Sequence, residues 1–145
     1  MLFEALATIC AGLFAGAAIY ISLVEHPARL ECGTELAATE FGPSYRRATL
    51  MQASLAAVGL AAALVAWVQG RGMTVLLGGV LLGAVIPFTL VVILPTNTRL
   101  LDPGLDRSSP EAATLLGRWG RLHAVRSALG ALAFGVLLWH FAGAG

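Results

Sequence analysis

The sequence predicts an all-α fold: an integral membrane, up-down four-helix bundle. Three observations carry that prediction. First, 58% of the 145 residues are hydrophobic and only 12% charged, against about 25% charged in an average soluble domain. Second, the apolar residues gather into runs of about 20, the length a helix needs to cross a hydrocarbon core about 30 Å thick. Third, the runs lack the alternation of barrel strands, and only helices or closed barrels satisfy their backbone polar groups in lipid. The length suits one domain, residues 1–145.

The first run extends from about Phe3 to Val24. It begins Met1-Leu2-Phe3-Glu4, without a basic segment, and it exceeds the roughly 7–15 residues of a signal-peptide core, so a retained helix is expected. The second run covers about Thr49 to Val68, the third about Met73 to Leu94 and the fourth about Leu122 to Phe141. Gln69-Gly70-Arg71-Gly72 reads as a tight turn joining the second and third. The segments Glu25–Ala48 and Pro95–Arg121 read as long polar connections at the opposite end. Within the latter, Ser109-Pro110-Glu111 has the form of a helix start, with Ser109 as N-cap and Pro110 at the first helical position. A short amphipathic helix through Leu115, Leu116 and Trp119 follows, lying in the interface or running into the fourth helix. Pro87 is expected to kink the third helix.

Gly12 and Gly16, like Gly79 and Gly83, are spaced for close helix contact. Packing within the bundle is the first expectation; a homo-oligomer face at Gly12/Gly16 or Gly79/Gly83 is the second. Cys10 and Cys32 show no metal-site spacing and are expected to be unpaired thiols. The net charge of +1 gives no reason to expect a nucleic-acid partner; membrane lipid is the expected one.

All basic residues other than histidine are arginine. Arg29, Arg46, Arg47, Arg99, Arg107, Arg118 and Arg121 fall in the two long segments, Arg71 in the short turn and none in the tails. Short basic loops stay in the cytoplasm. The expected placement is therefore a bacterial inner membrane, with the long segments cytoplasmic and both termini outside. Trp67 and the pair Trp139-His140 read as interfacial anchors.

In an up-down bundle, Glu25, His26, Tyr45, Gln52, Asn97, Trp119, His123 and Arg126 come to one end. His123 and Arg126, three apart, share a helix face. Arg126 lies about a turn deeper than an anchor needs, and ionisable residues within spans usually face the interior; pairing with Glu25 is one expectation, snorkelling to headgroups the other. His26 and His123 admit three uses: metal ligation with Glu25 as a third ligand, acid–base work on a phenolic or quinone-like molecule, or structural hydrogen bonding. Iron, copper, haem or no cofactor all remain open. Trp119 is expected either to anchor in lipid or to flank this cluster.

The runs Leu23-Val24-Glu25-His26-Pro27-Ala28, Phe41-Gly42-Pro43-Ser44-Tyr45, Pro95-Thr96-Asn97 and Arg118-Trp119-Gly120-Arg121-Leu122-His123-Ala124-Val125-Arg126 resemble, in order, those of the anthrone oxygenase-like family of small four-helix membrane proteins. The resemblance spans nearly the whole chain. It implies an oxidoreductase that converts an anthrone to an anthraquinone with molecular oxygen, and catalytic positions at His26, Asn97, His123 and Arg126. Glu25, Tyr45, Gln52 and Trp119 are the expected substrate contacts. A competing expectation is a non-catalytic accessory protein holding a lipid, haem or partner helix in the same cleft. A transporter would place ionisable groups near mid-membrane, where this chain has almost none.

Overall fold

The computed structural model describes residues 1–143. Four helices contain the four apolar runs: α1 (Leu2–Glu31), α2 (Thr34–Val68), α3 (Met73–Leu100) and α4 (Pro110–Gly143), each long and apolar enough to cross a membrane. Among the described residues there is no strand. α1 packs on α2 and α4, and α3 packs on the same two, closing a ring. Ile9, Leu13, Leu23, Leu77, Leu90, Val91 and Leu132 are each more than half exposed on the outside, which only a lipid surround makes favourable. The protein is an integral membrane protein.

The helices run well past the apolar stretches. The segment expected as a long connection from Glu25 to Ala48 is almost wholly helical, broken only at Cys32-Gly33. At about 1.5 Å per residue, α2 is about 50 Å long, so its first part stands clear of a 30 Å hydrocarbon core. Likewise the amphipathic stretch through Leu115 and Trp119 runs straight into the fourth span as one helix. Ser109 caps it, its Oγ accepting from the Ala112 N–H at 3.2 Å. Gly33, Gly70 and Gly72 have φ of 92°, 81° and 90°; these left-handed positions make the two short turns possible.

Pro27 and Pro95 do not end their helices. Each lacks an N–H, and its ring would strike the carbonyl four residues earlier. The chain answers with a widened i→i+5 turn just upstream, at Ile21–Glu25 in α1 and at Thr89–Ile93 in α3. Such turns relieve the clash and rotate the following residues, here His26 and Asn97, which become buried. Around Pro87, α3 breaks its regular pattern at Ala84.

Two apolar cores result. One, rich in alanine, lies in the membrane and includes Ala7, Ala11, Phe14, Ala56, Ala63, Leu82, Ala133 and Leu137. The other lies under the helical cap and includes Ile21, Ala37, Phe41, Ile93, Leu100, Leu116 and Trp119. Gly79 and Gly83 are used inside the bundle: a Cβ at either would strike Ala63 or Leu60 of α2. The close-packing expectation describes this pair. Gly16 has nothing within 4 Å of where its Cβ would be. Cys10 and Cys32 are both free.

The connection from Leu101 to Ser109 is tied locally. Gly104 N–H donates to Asp102 Oδ1 at 2.8 Å, Ser108 N–H to Asp106 Oδ1 at 2.9 Å, and Arg99 pairs with Asp102 and Glu111 at 2.6 and 2.7 Å. These donors hold the Asp102 and Asp106 carboxyls below their ordinary range, the Gly104 amide first for Asp102 and the Ser108 hydroxyl first for Asp106.

At the far end, Glu4 is 2% exposed and gathers three cationic or donor groups: the Met1 amine at 2.5 Å, Arg71 Nε at 2.9 Å and His140 Nε2 at 3.1 Å. One carboxylate thereby ties α1 to the α2–α3 turn and to the end of α4, and His140 is a partner of Glu4 rather than a simple interfacial anchor. Glu4→Gln, which keeps the shape but not the charge, is expected to destabilise the fold by about 2 kcal/mol, read as a lower thermal midpoint in detergent. An unchanged midpoint would remove this clamp from the account.

Candidate functional site

Between the two cores every helix contributes polar side chains to one layer. An enclosed cavity of about 20 Å³ lies there, lined among others by Ile21, Arg29, Tyr45, Gln52, Thr89, Asn97, Trp119, His123 and Arg126. That volume admits one water-sized molecule. The widened turns deliver Ile21 from α1 and Thr89 and Ile93 from α3. The layer is not open at the end of the bundle; the helical extensions and their aromatic residues roof it.

Its polarity is unsatisfied. Gln52 and Asn97 are each 1% exposed, yet neither amide oxygen nor amide nitrogen of either has a hydrogen-bond partner among the described residues. Buried polar atoms are ordinarily paired; here two amides leave both donors and acceptors free at the wall of one cavity. Arg126 Nε is likewise buried and unpartnered, and among the described residues no acid pairs with Arg126. The expected Glu25–Arg126 pair is not formed. Glu25 instead pairs with Arg29, one helical turn away, and accepts from Ser44 Oγ at 2.7 Å. The Arg126 guanidinium lies 5.2 Å over the ring of Phe14. Phe14 is itself fixed against Gly130, where a Cβ would approach the ring to 2.7 Å.

The two imidazoles are buried, and both lie against one indole. Trp119 joins them: its ring stacks on His123 at 4.7 Å between centroids and meets His26 at 5.0 Å. Trp119 is 6% exposed and packs edge-on against Phe41 at 5.3 Å, so it flanks the cluster and is not a lipid anchor. His123 lines the cavity and His26 does not. His26 backs onto Gly120, where a Cβ would come within 2.6 Å of its Nε2. Glu25, the expected third metal ligand beside His26 and His123, is engaged by Arg29, and Trp119 stands against both rings. Among the described residues no group of three or more His, Cys, Asp or Glu side chains is placed to hold a metal ion.

Tyr45 lies in the cavity wall, stacked on Phe41 at 5.6 Å. Arg29, counted from sequence only as a basic loop residue, is 7% exposed. It pairs with Glu25 and with Glu40 at 3.0 Å, and its guanidinium sits 5.9 Å over Trp119. Its spacing of four from Glu25 was the available signal. Ser127, four residues after His123, and Ser22, which nothing in the sequence marks, bond to His123 and to each other.

A second, open groove of about 620 Å³ lies on the lipid side between α1 and α2 and shares Ile21, Ser44, Ala48 and Gln52 with the enclosed cavity.

Residues 41–136, about two thirds of the chain, match the anthrone oxygenase family. The match takes in Tyr45, Gln52, Asn97, Trp119, His123 and Arg126; Ser22, Glu25, His26 and Arg29 precede it. No curated protein and no solved structure matches the chain. With the match covering two thirds of the chain, most of α2, α3 and α4 and most of the cavity wall, the chain belongs to the anthrone oxygenase family.

Proposed function

We propose that the protein is a membrane-embedded oxidoreductase that oxidises a flat, anthrone-type aromatic ketone to the quinone with molecular oxygen. The single observation that carries this reading is the unpaired Arg126 guanidinium beside the unpaired amides of Gln52 and Asn97, all around one cavity with His123 in its wall. A cation and amide donors without protein partners suit an oxygen that gains negative charge during reaction.

An anthrone carries an acidic C–H opposite its ketone. His123 takes that proton, and the electron pair delocalises onto the ketone oxygen, where Arg126 and Asn97 stabilise it. The electron-rich carbon then bonds to dioxygen. Loss of the second hydrogen on that carbon with cleavage of the O–O bond leaves one oxygen as the new carbonyl and releases the other as water. The substrate supplies four electrons and dioxygen accepts four. His26, away from the cavity, holds Trp119 in place, and Trp119 and Tyr45 offer the aromatic walls. No step is routed through a metal, since Glu25 and the two imidazoles do not assemble as ligands.

The enclosed volume suits dioxygen; a tricyclic ring reaches His123, Asn97 and Arg126 from the neighbouring groove by parting Ile21, Ala48 and Gln52, which line both spaces. The groove of about 620 Å³ lies in the usual range for small-molecule sites, about 300–1,000 Å³. An apolar ketone partitioned in the bilayer reaches the polar layer through it, between Ile21 and Ala48. Oxygen uptake by purified protein in nanodiscs with an anthrone, corrected for uncatalysed autoxidation, is expected to match quinone formed mole for mole. Uptake no faster than the protein-free control would overturn the reading. Ala48→Trp is expected to raise KM about tenfold with kcat little changed, the mark of lost access or uniform binding; an unchanged KM removes the groove as the route.

The arginine-rich cap faces the cytoplasm on this reading, and the four-helix unit acts as a single domain. Cys32, exposed in the α1–α2 turn, then reacts with an impermeant maleimide only after cells are opened. Labelling of intact cells would reverse the orientation.

A further inference from the structure

His123 is held from behind by two serines. Ser22 Oγ lies 3.0 Å from His123 Nδ1 and 2.8 Å from Ser127 Oγ. Ser127 Oγ in turn lies 2.9 Å from the Ala18 carbonyl and 3.0 Å from the His123 carbonyl. It also approaches His123 Nδ1 at 3.4 Å. Ser127 is 5% exposed and His123 2%.

The hydrogens in this chain can be counted. Each hydroxyl has one hydrogen to donate and lone pairs to accept with. The two carbonyl oxygens beside Ser127 only accept. Ser127 must give its hydrogen to one of them, because turning it elsewhere would face three bare oxygens toward one another. The 2.8 Å contact between the serines is then donated by Ser22. With its hydrogen so placed, Ser22 has only lone pairs for Nδ1, and the 3.0 Å contact requires the hydrogen to sit on the ring nitrogen. In the neutral imidazole that leaves Nε2 bare. Among the described residues Nε2 makes no hydrogen bond, and the ring lines the cavity.

We infer that Ser22 and Ser127 are positioning residues that hold His123 in the Nδ1–H tautomer and present its Nε2 lone pair to the cavity. The relay runs His123 Nδ1–H to Ser22, Ser22 to Ser127, and Ser127 to the Ala18 carbonyl. It reaches from α4 to α1 at the widened turn, whose altered register supplies Ser22. The tautomer follows from the hydrogen bonds alone; the use of Nε2 as base rests on the oxidase reading above.

The test is nitrogen-15 spectroscopy of histidine-labelled protein in nanodiscs, with His123 assigned by His123→Asn. The expected ring has a protonated Nδ1 and a bare Nε2. Protonation at Nε2 in the wild type would overturn the inference. Ser127→Ala releases the Ser22 hydrogen to Nδ1, so the tautomer is expected to reverse. Anthrone oxidation then falls about tenfold or more with KM unchanged. Ser127→Thr, which keeps the hydroxyl, is expected to restore both readouts. A Ser127→Ala protein with reversed tautomer and full rate would overturn the link from tautomer to base. A wild type without activity but with the expected tautomer would defeat the oxidase reading and leave the relay standing.

Discussion

His123→Ala is expected to slow anthrone oxidation by about 100-fold or more, the usual contribution of a positioned general base, while the protein still inserts and folds. The side chain is the one imidazole in the wall of the polar cavity, it stacks on Trp119, and its rear nitrogen is held by Ser22. Its loss removes the proton acceptor and leaves Arg126, Gln52 and Asn97 in place. His26→Ala provides the contrast. His26 is also buried but lies outside the cavity wall, so its loss acts through Trp119: a smaller fall in rate, with a lower thermal midpoint. Oxygen uptake and quinone formation, measured for both variants against the uncatalysed background, separate the two. Equal losses would mean that the rings act as a pair, and full activity in His123→Ala would remove the base from the mechanism.

That contrast marks where sequence reasoning stops. The four spans were legible because apolar runs of helical length leave no other structure in lipid. His123 and Arg126 were legible as a face because three residues make nearly one turn. What spacing could not convey is backbone register after a widened turn. Pro27 and Pro95 look like helix ends, because proline forbids the regular bond. The turns at Ile21–Glu25 and Thr89–Ile93 instead carry both helices onward and rotate His26, Arg29 and Asn97 inward. The polar character of 25–48 and 95–121 likewise hid long helices that stand outside the bilayer. Glu25 illustrates the limit for ion pairs. Its partner turned out to be Arg29, four residues on and reachable within one helix, whereas the proposed partner, Arg126, needed a particular meeting of two helices. Glu4 carried no sequence signal at all, since its partners are the amine of Met1, a turn arginine and a residue of the last helix.

Arg126→Met is expected to make the protein more stable and nearly inactive. Methionine keeps much of the aliphatic stem and replaces the guanidinium over Phe14 with an uncharged thioether end. In the resting protein that charge has no acid beside it among the described residues, and its Nε lacks a partner. An unpaired ionised group within a membrane span is costly, and replacing buried charge with a well-packed apolar side chain often stabilises. A rise of a few degrees in the thermal midpoint is therefore expected. The rate should fall about 10²–10³-fold, the scale of losing one donor to a developing oxyanion, and the loss should sit in kcat if the charge acts mainly on the anion rather than on the neutral ketone. Arg126→Lys should recover only part of the rate, since a point charge on a flexible stem does not reproduce the planar fork. The opposed signs are what make the test informative. A structural arginine, held by contacts that matter for folding, would lose stability on substitution. Gain of stability with loss of rate is the pattern of a residue kept for chemistry at the expense of the fold. A lower midpoint together with a normal rate would show that Arg126 is a strut, and the oxyanion site would have to be sought among Gln52 and Asn97 alone.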